Sequence, residues 1–212
     1  MAKQPTAKVS VTALGQVRIF SPLTEEELAV LAENCSWSRH EAASEVLAQN
    51  APCDEVYFIC SGRVSAKTFS DAGKEITFAE LVQGDVFGEL SALDGQPRSS
   101  FVVTLEESLL AALPAHIFNE FLDSHPKVMR ALMVELTGRL RRADEKVFEF
   151  STLNTSNRIH AELLRLASMH PAQNGAVEIT SPPTHADLAS RTNTTRESVT
   201  RTLNQLKQGG LI

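Results

Sequence analysis

The chain has 212 residues and a formal net charge of −6, and 42% of its residues are hydrophobic and 22% charged. This composition is typical of a folded protein of one or two domains and excludes a disordered chain. The acidic balance argues against coating of nucleic acid by the whole protein but allows a local basic patch.

The sequence contains no signal for a membrane segment, a secretory leader or a metal site. No apolar run approaches the ~18 residues of a membrane span, and residues 1–10 lack an apolar leader core, so we expect a cytoplasmic protein. Cys35, Cys53 and Cys60 match no Cys-x-x-Cys signature, and the six histidines form no metal-binding motif. We predict buried, unreactive thiols and no metal.

The first predicted element is a short amphipathic helix over Thr24–Cys35, because Thr24 and Glu27 have the spacing of a capping box. From about Glu45 to Leu113 the chain is instead rich in β-branched and aromatic residues in rough alternation. The sequence DAGK at 71–74 is a hairpin signal within this region. Short strands with glycine turns favour an antiparallel barrel or jelly roll.

One segment interrupts this β region. Residues 89–93 of FGELSALDGQPRSS, at 87–100, have a helical pattern, and such a local break often marks function. A glycine-flanked loop that enters a short helix attracts an anion, and Arg98 adds a fork matched to phosphate oxygens. Glu89 is better suited to ribose hydroxyls. The pattern indicates a small nucleotide, with a weak surface ion pair between Glu89 and Arg98 as the alternative.

A long helix is predicted after His125. Its apolar residues are spaced alternately four and three apart: Met129, Met133, Leu136, Leu140, Ala143, Val147 and Phe150. This heptad pattern, with Arg139, Arg141 and Asp144 beside it, favours a coiled-coil homodimer through the seam Met133, Leu136, Leu140, Ala143, Val147 and Phe150. A helix packed only on its own domain is the alternative.

The C-terminal part is predicted to be helical after a polar hinge at 151–157, where Asn154 or Thr155 caps the next helix. Residues 170–183 are predicted to form a turn with one short strand. Capping boxes at Thr184–Asp187 and Thr194–Glu197 flank the polar turn SRTN at 190–193. Two short helices joined in this way form a helix-turn-helix.

The last helix has two chemically distinct faces. Val199, Leu203 and Leu206 are expected to pack inward, while the opposite face carries Arg196, Glu197, Thr200, Arg201 and Asn204. Arginine reads guanine and glutamate accepts from cytosine in the major groove, and hydroxyls at the helix start, at Thr194 and Thr195, reach phosphate. A solvated helix face is the alternative.

Residues 87–100 resemble the phosphate-binding cassette of cyclic-nucleotide-binding domains. From about Phe20 to Ile212 the chain is similar to the cyclic AMP receptor protein (catabolite activator) family of bacterial transcription regulators. The resemblance also rests on SGRV at 61–64, QGDVFGE at 83–89, the long helix and TRESVTR at 195–201.

The resemblance implies an α+β fold of two domains. Residues 1–152 would form an antiparallel β-roll (jelly-roll) cyclic-nucleotide-binding domain with a long dimerisation helix at about 124–152. Residues 153–212 would form a winged helix-turn-helix domain whose wing is apparently truncated, because the sequence stops at GGLI. The implied partners are double-stranded DNA, a second copy of the chain and RNA polymerase, and no enzymatic activity is implied.

The resemblance also implies residue roles. Gly88 lets the backbone approach the ligand closely, Glu89 holds the ribose 2′-hydroxyl, and Arg98 holds the cyclic phosphate. The implied nucleotide-binding set is Gly88, Glu89, Leu90, Ser91, Arg98, Ser99, Arg139, Ala143, Asp144, Ala66 and Phe78. Within it Ser99 and the backbone near Ser91 assist at the phosphate, Arg139 pairs with Glu89, and Ala66 and Phe78 border the base.

Two positions depart from the family pattern. Ala143 and Asp144 stand where the best-known cyclic AMP receptor has Thr and Ser against the adenine. Ala143 has no hydrogen-bonding side chain, and Asp144 can accept from adenine or guanine. These departures leave the base preference open. The family resemblance favours cyclic AMP as the allosteric ligand, with cyclic GMP or both nucleotides as alternatives.

On the DNA side the resemblance implies the contact set Thr195, Arg196, Glu197, Ser198, Thr200 and Arg201. The dimer would bind two TGTGA-like half-sites arranged as a palindrome.

Three alternative functions were considered. A redox or gas sensor on this scaffold needs a cysteine cluster or a dedicated His ligand, and a cupin-type enzyme needs clustered metal ligands; neither is found in the sequence. A constitutive regulator with a vestigial pocket is disfavoured by intact Glu89 and Arg98.

Overall fold

The computed structural model describes residues 7–52, 54–71, 73–168, 170–173, 176–180 and 182–212. The helices in these residues are α1 Ala7–Leu14, α2 Glu25–Glu33, α3 Glu89–Asp94, α4 Ala115–Ser124, α5 Pro126–Thr152, α6 Thr155–Ala167, α7 His185–Arg191 and α8 Arg196–Gln208. None of them is long and apolar enough to cross a membrane.

The strands are β1 Ser36–His40, β2 Glu45–Leu47, β3 Glu55–Ser61, β4 Arg63–Phe69, β5 Glu75–Val82, β6 Val86–Phe87, β7 Phe101–Thr104, β8 Ser108–Pro114, β9 Ala172–Gln173 and β10 Ala176–Val177. Two four-stranded sheets, in the orders β1-β8-β3-β6 and β2-β7-β4-β5, form the β-roll. The turn between β4 and β5 closes as predicted, because the Ser70 amide donates to the Lys74 carbonyl at 2.9 Å. The α+β fold with its β-roll is confirmed.

The chain divides into two compact units, one of Met1–Thr68 with Phe78–Gly138 and the other of Phe69–Thr77 with Arg139–Ile212. In the first unit, side chains of both sheets are fully buried, Phe58 from one and Val64 from the other. In the second unit, Ile159 and Val199 are fully buried with Leu188 and Ala189. Each unit therefore has its own hydrophobic core.

Local sequence signals explain most helix starts. Thr24 and Glu27 form the predicted capping box of α2, and Thr184 forms the one that begins α7. The Asn154 side chain accepts from the Asn157 amide and caps α6, as predicted. The long helix begins at Pro126, because a proline at the first helical position loses no hydrogen bond.

Two details of the prediction were wrong. The Thr194–Glu197 capping box does not form: the Thr194 amide donates to the Ala189 carbonyl at 2.9 Å, which holds Thr194 in the turn. Thr195 caps α8 instead, and its side chain accepts from the Ser198 amide. In place of one strand before α7, β9 and β10 pair as an antiparallel hairpin.

Candidate functional site

The predicted cassette is built around Gly88 and a short helix. Gly88 has φ +79 and immediately precedes α3, and Gly95 with φ +70 ends it. A Cβ atom at Gly88 would lie 2.7 Å from Nη1 of Arg98 and 3.3 Å from the Glu55 carbonyl oxygen. Only glycine therefore fits at this position without displacing the guanidinium.

Arg98 is buried at the centre of the cassette, with 4% of its surface exposed. Its Nη1 donates to the Gly88 carbonyl at 2.8 Å and its Nη2 to the Glu55 carbonyl at 2.6 Å. The Arg98 backbone is fixed as well, because its amide donates to the Ala51 carbonyl and its carbonyl accepts from the Asn50 amide. Both the main chain and the guanidinium of Arg98 are thus held by backbone groups of the first unit.

The remaining N–H groups of Arg98 match an anionic ligand. The Nε atom is buried without a hydrogen-bond partner among the residues that the structure describes. A buried donor in this condition costs about 1–3 kcal/mol, and a phosphate oxygen would offset that cost with a charge-assisted hydrogen bond. The cassette therefore fits a phosphate group.

The other predicted cassette residues differ in how far they are buried. Glu89 and Ser91 are buried, whereas Leu90 is exposed on α3 and Ser99 is exposed after it. The Ser99 carbonyl accepts from Nε2 of Gln49 at 3.3 Å. Ala66 is half-buried on β4, and Phe78 on β5 is 53% exposed.

The predicted nucleotide-binding residues of the long helix, Arg139, Ala143 and Asp144, lie in the second unit. Arg139 is partly exposed, and Ala143 and Asp144 are exposed. Of the predicted dimer seam, Met133, Leu140 and Val147 are more than 60% exposed. Leu136 packs against the core of the first unit, and Phe150 receives the guanidinium of Arg158 at 5.5 Å from its ring centroid. The centre of the seam is thus open apolar surface on a single chain.

Four of the six predicted DNA-binding residues share one face of α8: Arg196, Glu197, Thr200 and Arg201. A shallow depression on this helix is lined by Arg196, Glu197, Thr200, Arg201, Asn204, Gln205 and Gln208. Val199 is fully buried and Leu203 packs against the same core, as predicted. Thr195 and Ser198 are joined by a hydroxyl hydrogen bond of 3.0 Å at the helix start. The face has the arginines and the acceptor that major-groove recognition uses.

Two residues that contact predicted site residues were not identified from the sequence, namely Glu55 and His185. The Glu55 carbonyl holds Arg98, but a backbone carbonyl is present at every residue and carries no sequence signal. His185, on α7, lies with its Nδ1 2.8 Å from the hydroxyl of Thr200. The spacing of His185 and Thr200 follows no motif, so only the fold brings them together.

The two thiols that the structure describes, those of Cys35 and Cys60, have raised pKa values. Burial raises the pKa of Cys60 to about 12, and burial with the neighbouring Cys60 thiol raises the pKa of Cys35 to about 12. A thiol with such a pKa carries almost no thiolate at neutral pH. Cys53 lies outside the described residues. Among the described residues no cluster of three or more His, Cys, Asp or Glu side chains could hold a metal ion.

Comparison with known proteins identifies two domain families in the chain. A family of cyclic nucleotide-binding domains matches residues 38–125, and a family of Crp-like helix-turn-helix domains matches residues 157–212. The CRP-like cAMP-activated global transcriptional regulator of Mycobacterium tuberculosis is 26% identical over 200 residues, which cover 94% of this chain and 89% of the relative. The cAMP-activated global transcriptional regulator CRP of Escherichia coli is 27% identical over 192 residues, covering 90% and 91%.

Solved structures have the same fold. The catabolite activator protein of Thermus thermophilus aligns with a TM-score of 0.57 at 27% identity, covering 91% of this chain and 88% of that one. The c-di-GMP responsive global regulator CLP of Xanthomonas campestris aligns with a TM-score of 0.73 at 21% identity, covering 84% and 89%. The fold is thus shared with a catabolite activator protein and with a regulator named as c-di-GMP responsive.

Proposed function

The chain belongs to the cyclic AMP receptor protein family of DNA-binding transcription regulators, and from this membership we propose that it is a homodimer switched by a cyclic nucleotide. Cyclic AMP is the favoured ligand, since the M. tuberculosis and E. coli relatives are named as cAMP-activated. The observation that carries the proposal is the buried Arg98, whose Nε has no hydrogen-bond acceptor among the described residues.

The ligand would be held by cassette residues with distinct roles. Arg98, assisted by the Ser99 hydroxyl and the backbone near Ser91, would bind the cyclic phosphate. Glu89 would accept from the ribose 2′-hydroxyl. Phe78 and Ala66 would border the base. The roles proposed for Arg139, Ala143 and Asp144 on the long helix rest on the family resemblance alone. Asp144 leaves room for cyclic GMP, because a carboxylate can accept from guanine as well as from adenine.

On the DNA side, the exposed face of α8 would read a TGTGA-like half-site, with Arg196, Glu197 and Arg201 at base edges. A dimer through Met133, Leu140 and Val147 would place two such helices on a palindrome. The DNA-bound dimer would then contact RNA polymerase. Nucleotide raises DNA affinity only if it binds the DNA-competent state more tightly.

Calorimetric titration with cyclic AMP, cyclic GMP and linear 5′-AMP tests the ligand. We expect saturable binding of at least one cyclic nucleotide and at least tenfold weaker binding to Arg98→Ala, because a charge-assisted contact is lost. Arg39→Ala, which removes a guanidinium from an exposed ion pair with Glu107, is the control and should bind normally. Equal binding by wild type and Arg98→Ala would contradict the phosphate role.

A further inference from the structure

The hydroxyl of Thr200, on the DNA-reading face of α8, is held by two partners inside the protein. It donates to the Arg196 carbonyl at 3.0 Å, one helical turn back, and lies 2.8 Å from Nδ1 of His185 on α7. A hydroxyl has one hydrogen, so with that hydrogen given to Arg196 the imidazole donates from Nδ1. Both hydrogen bonds direct the Thr200 oxygen toward protein groups.

The same side chain lines the open depression on α8 together with Arg196 and Arg201. Thr200 is partly exposed there. Since the Cβ of threonine carries a hydroxyl and a methyl, and the hydroxyl is bound to the helix backbone and to α7, the methyl is the group left for the exposed face. Thr200 therefore offers an apolar contact in a depression that Arg196 and Arg201 also line.

We propose that His185 positions Thr200 so that its methyl group selects thymine at one position of each half-site. The proposal rests on the proposed function, in which α8 lies in the major groove. There the C5-methyl of thymine is the apolar feature that distinguishes it from cytosine, and a threonine methyl is a suitable partner for it. Thr200 thus adds specificity by shape and apolar contact, beside the hydrogen bonds of the arginines.

Replacing thymine by deoxyuridine removes only the C5-methyl, so a uracil scan isolates this contact. The probe is a duplex with two inverted TGTGA half-sites, in which symmetry-related thymines on either strand are replaced in turn. At saturating cyclic AMP we expect wild type to lose about three- to fivefold in affinity at one symmetric pair of positions, the value of one buried methyl.

Two substitutions separate the methyl from the hydroxyl. Thr200→Ser keeps the hydroxyl and should abolish the loss at that position. Thr200→Val keeps a methyl and should still lose affinity when that thymine is replaced by deoxyuridine. His185→Ala should reduce the uracil effect in wild type but change nothing further when combined with Thr200→Val, because valine has no hydroxyl to position. A purely structural role for His185 would not produce this dependence on one base.

The outcomes are distinct. A uracil effect at one position that is lost in Thr200→Ser and kept in Thr200→Val supports the proposal. DNA binding with the same uracil profile in wild type and Thr200→Ser overturns it, as does a profile without any uracil effect. Failure of wild type to bind this duplex or any member of a randomised duplex pool, with or without nucleotide, overturns the proposed function and this inference with it.

Discussion

Arg165 on α6 donates a hydrogen bond of 2.6 Å from its Nη2 to Oε1 of Glu149 near the end of α5. Its Nη1 donates to the carboxylate of Glu162, which is 6% exposed and also lies 3.4 Å from Nη1 of Arg191 on α7. Within the second unit, the guanidinium therefore ties the long helix to the helix that precedes the helix-turn-helix.

We predict that Arg165→Met lowers the free energy of unfolding by about 1–3 kcal/mol, because it leaves the buried Glu162 with less compensation. The control is Arg39→Met, since the Arg39–Glu107 pair of 3.1 Å is exposed on both sides and should contribute less than about 1 kcal/mol. Urea unfolding measures both. Equal losses for the two variants would contradict the structural role of Arg165.

The cassette glycines provide a matched pair. Gly88 and Gly95 both have positive φ, so alanine strains the backbone at either position, but only the Cβ at Gly88 meets atoms within 4 Å. We expect Gly88→Ala to weaken cyclic nucleotide binding at least tenfold by displacing Arg98, and Gly95→Ala to leave affinity within about threefold. Calorimetry at matched folded fractions distinguishes these results, and equal affinities would show that the guanidinium position does not matter.

The open seam predicts how the chain associates. Leu140 on α5 and Leu164 on α6 are 62% and 72% exposed. If α5 forms the coiled coil, Leu140→Glu places charges at its centre and should give a monomer, whereas Leu164→Glu should remain a dimer. Sedimentation equilibrium reads this directly. A dimer that survives Leu140→Glu but not Leu164→Glu would place the interface elsewhere.

The Cys60 thiol predicts a pH dependence of stability. The ordinary pKa of a cysteine thiol is 9.0, and burial raises the pKa of Cys60 to about 12 in the folded chain because it disfavours the thiolate. Above pH 9 the unfolded chain loses this proton while the folded chain keeps it, so the stabilisation present below pH 9 is lost as the pH rises toward 12.

By pH 10 this loss amounts to about 1 kcal/mol in the free energy of unfolding. Cys60→Ala removes the titrating group, so its stability should fall about that much less than that of wild type between pH 8 and pH 10. Urea unfolding at both pH values gives the two differences, and a cavity left by alanine cancels in each. Parallel pH profiles would mean that the thiol ionises as readily in the folded chain as in the unfolded one.

The parts of the structure that could be predicted from the sequence are those fixed by neighbouring residues. Thr24 with Glu27, and Asn154 with Asn157, are hydrogen-bonded pairs three residues apart, and such pairs define helix starts. The cassette could be identified for the same reason, since Gly88 through Arg98 is one continuous segment. Its helix, α3, was predicted from five residues.

Longer-range features could not be predicted. Whether Thr194 or Thr195 caps α8 depends on the Thr194 amide reaching Ala189, a contact set by the path of the turn. The Glu55 carbonyl that holds Arg98 is 43 residues away along the chain. The helix α4 was not assigned from the sequence, although its Phe118 is fully buried. In each case tertiary packing selects one of several locally acceptable arrangements.

The most direct test of the account is the affinity for a duplex with two inverted TGTGA half-sites, measured by fluorescence anisotropy with and without saturating cyclic AMP or cyclic GMP, for wild type and Arg98→Ala. We predict that one of the nucleotides tightens wild-type binding about 5- to 150-fold and that Arg98→Ala shows no such gain. Wild-type affinity that is the same with and without either nucleotide would contradict the account.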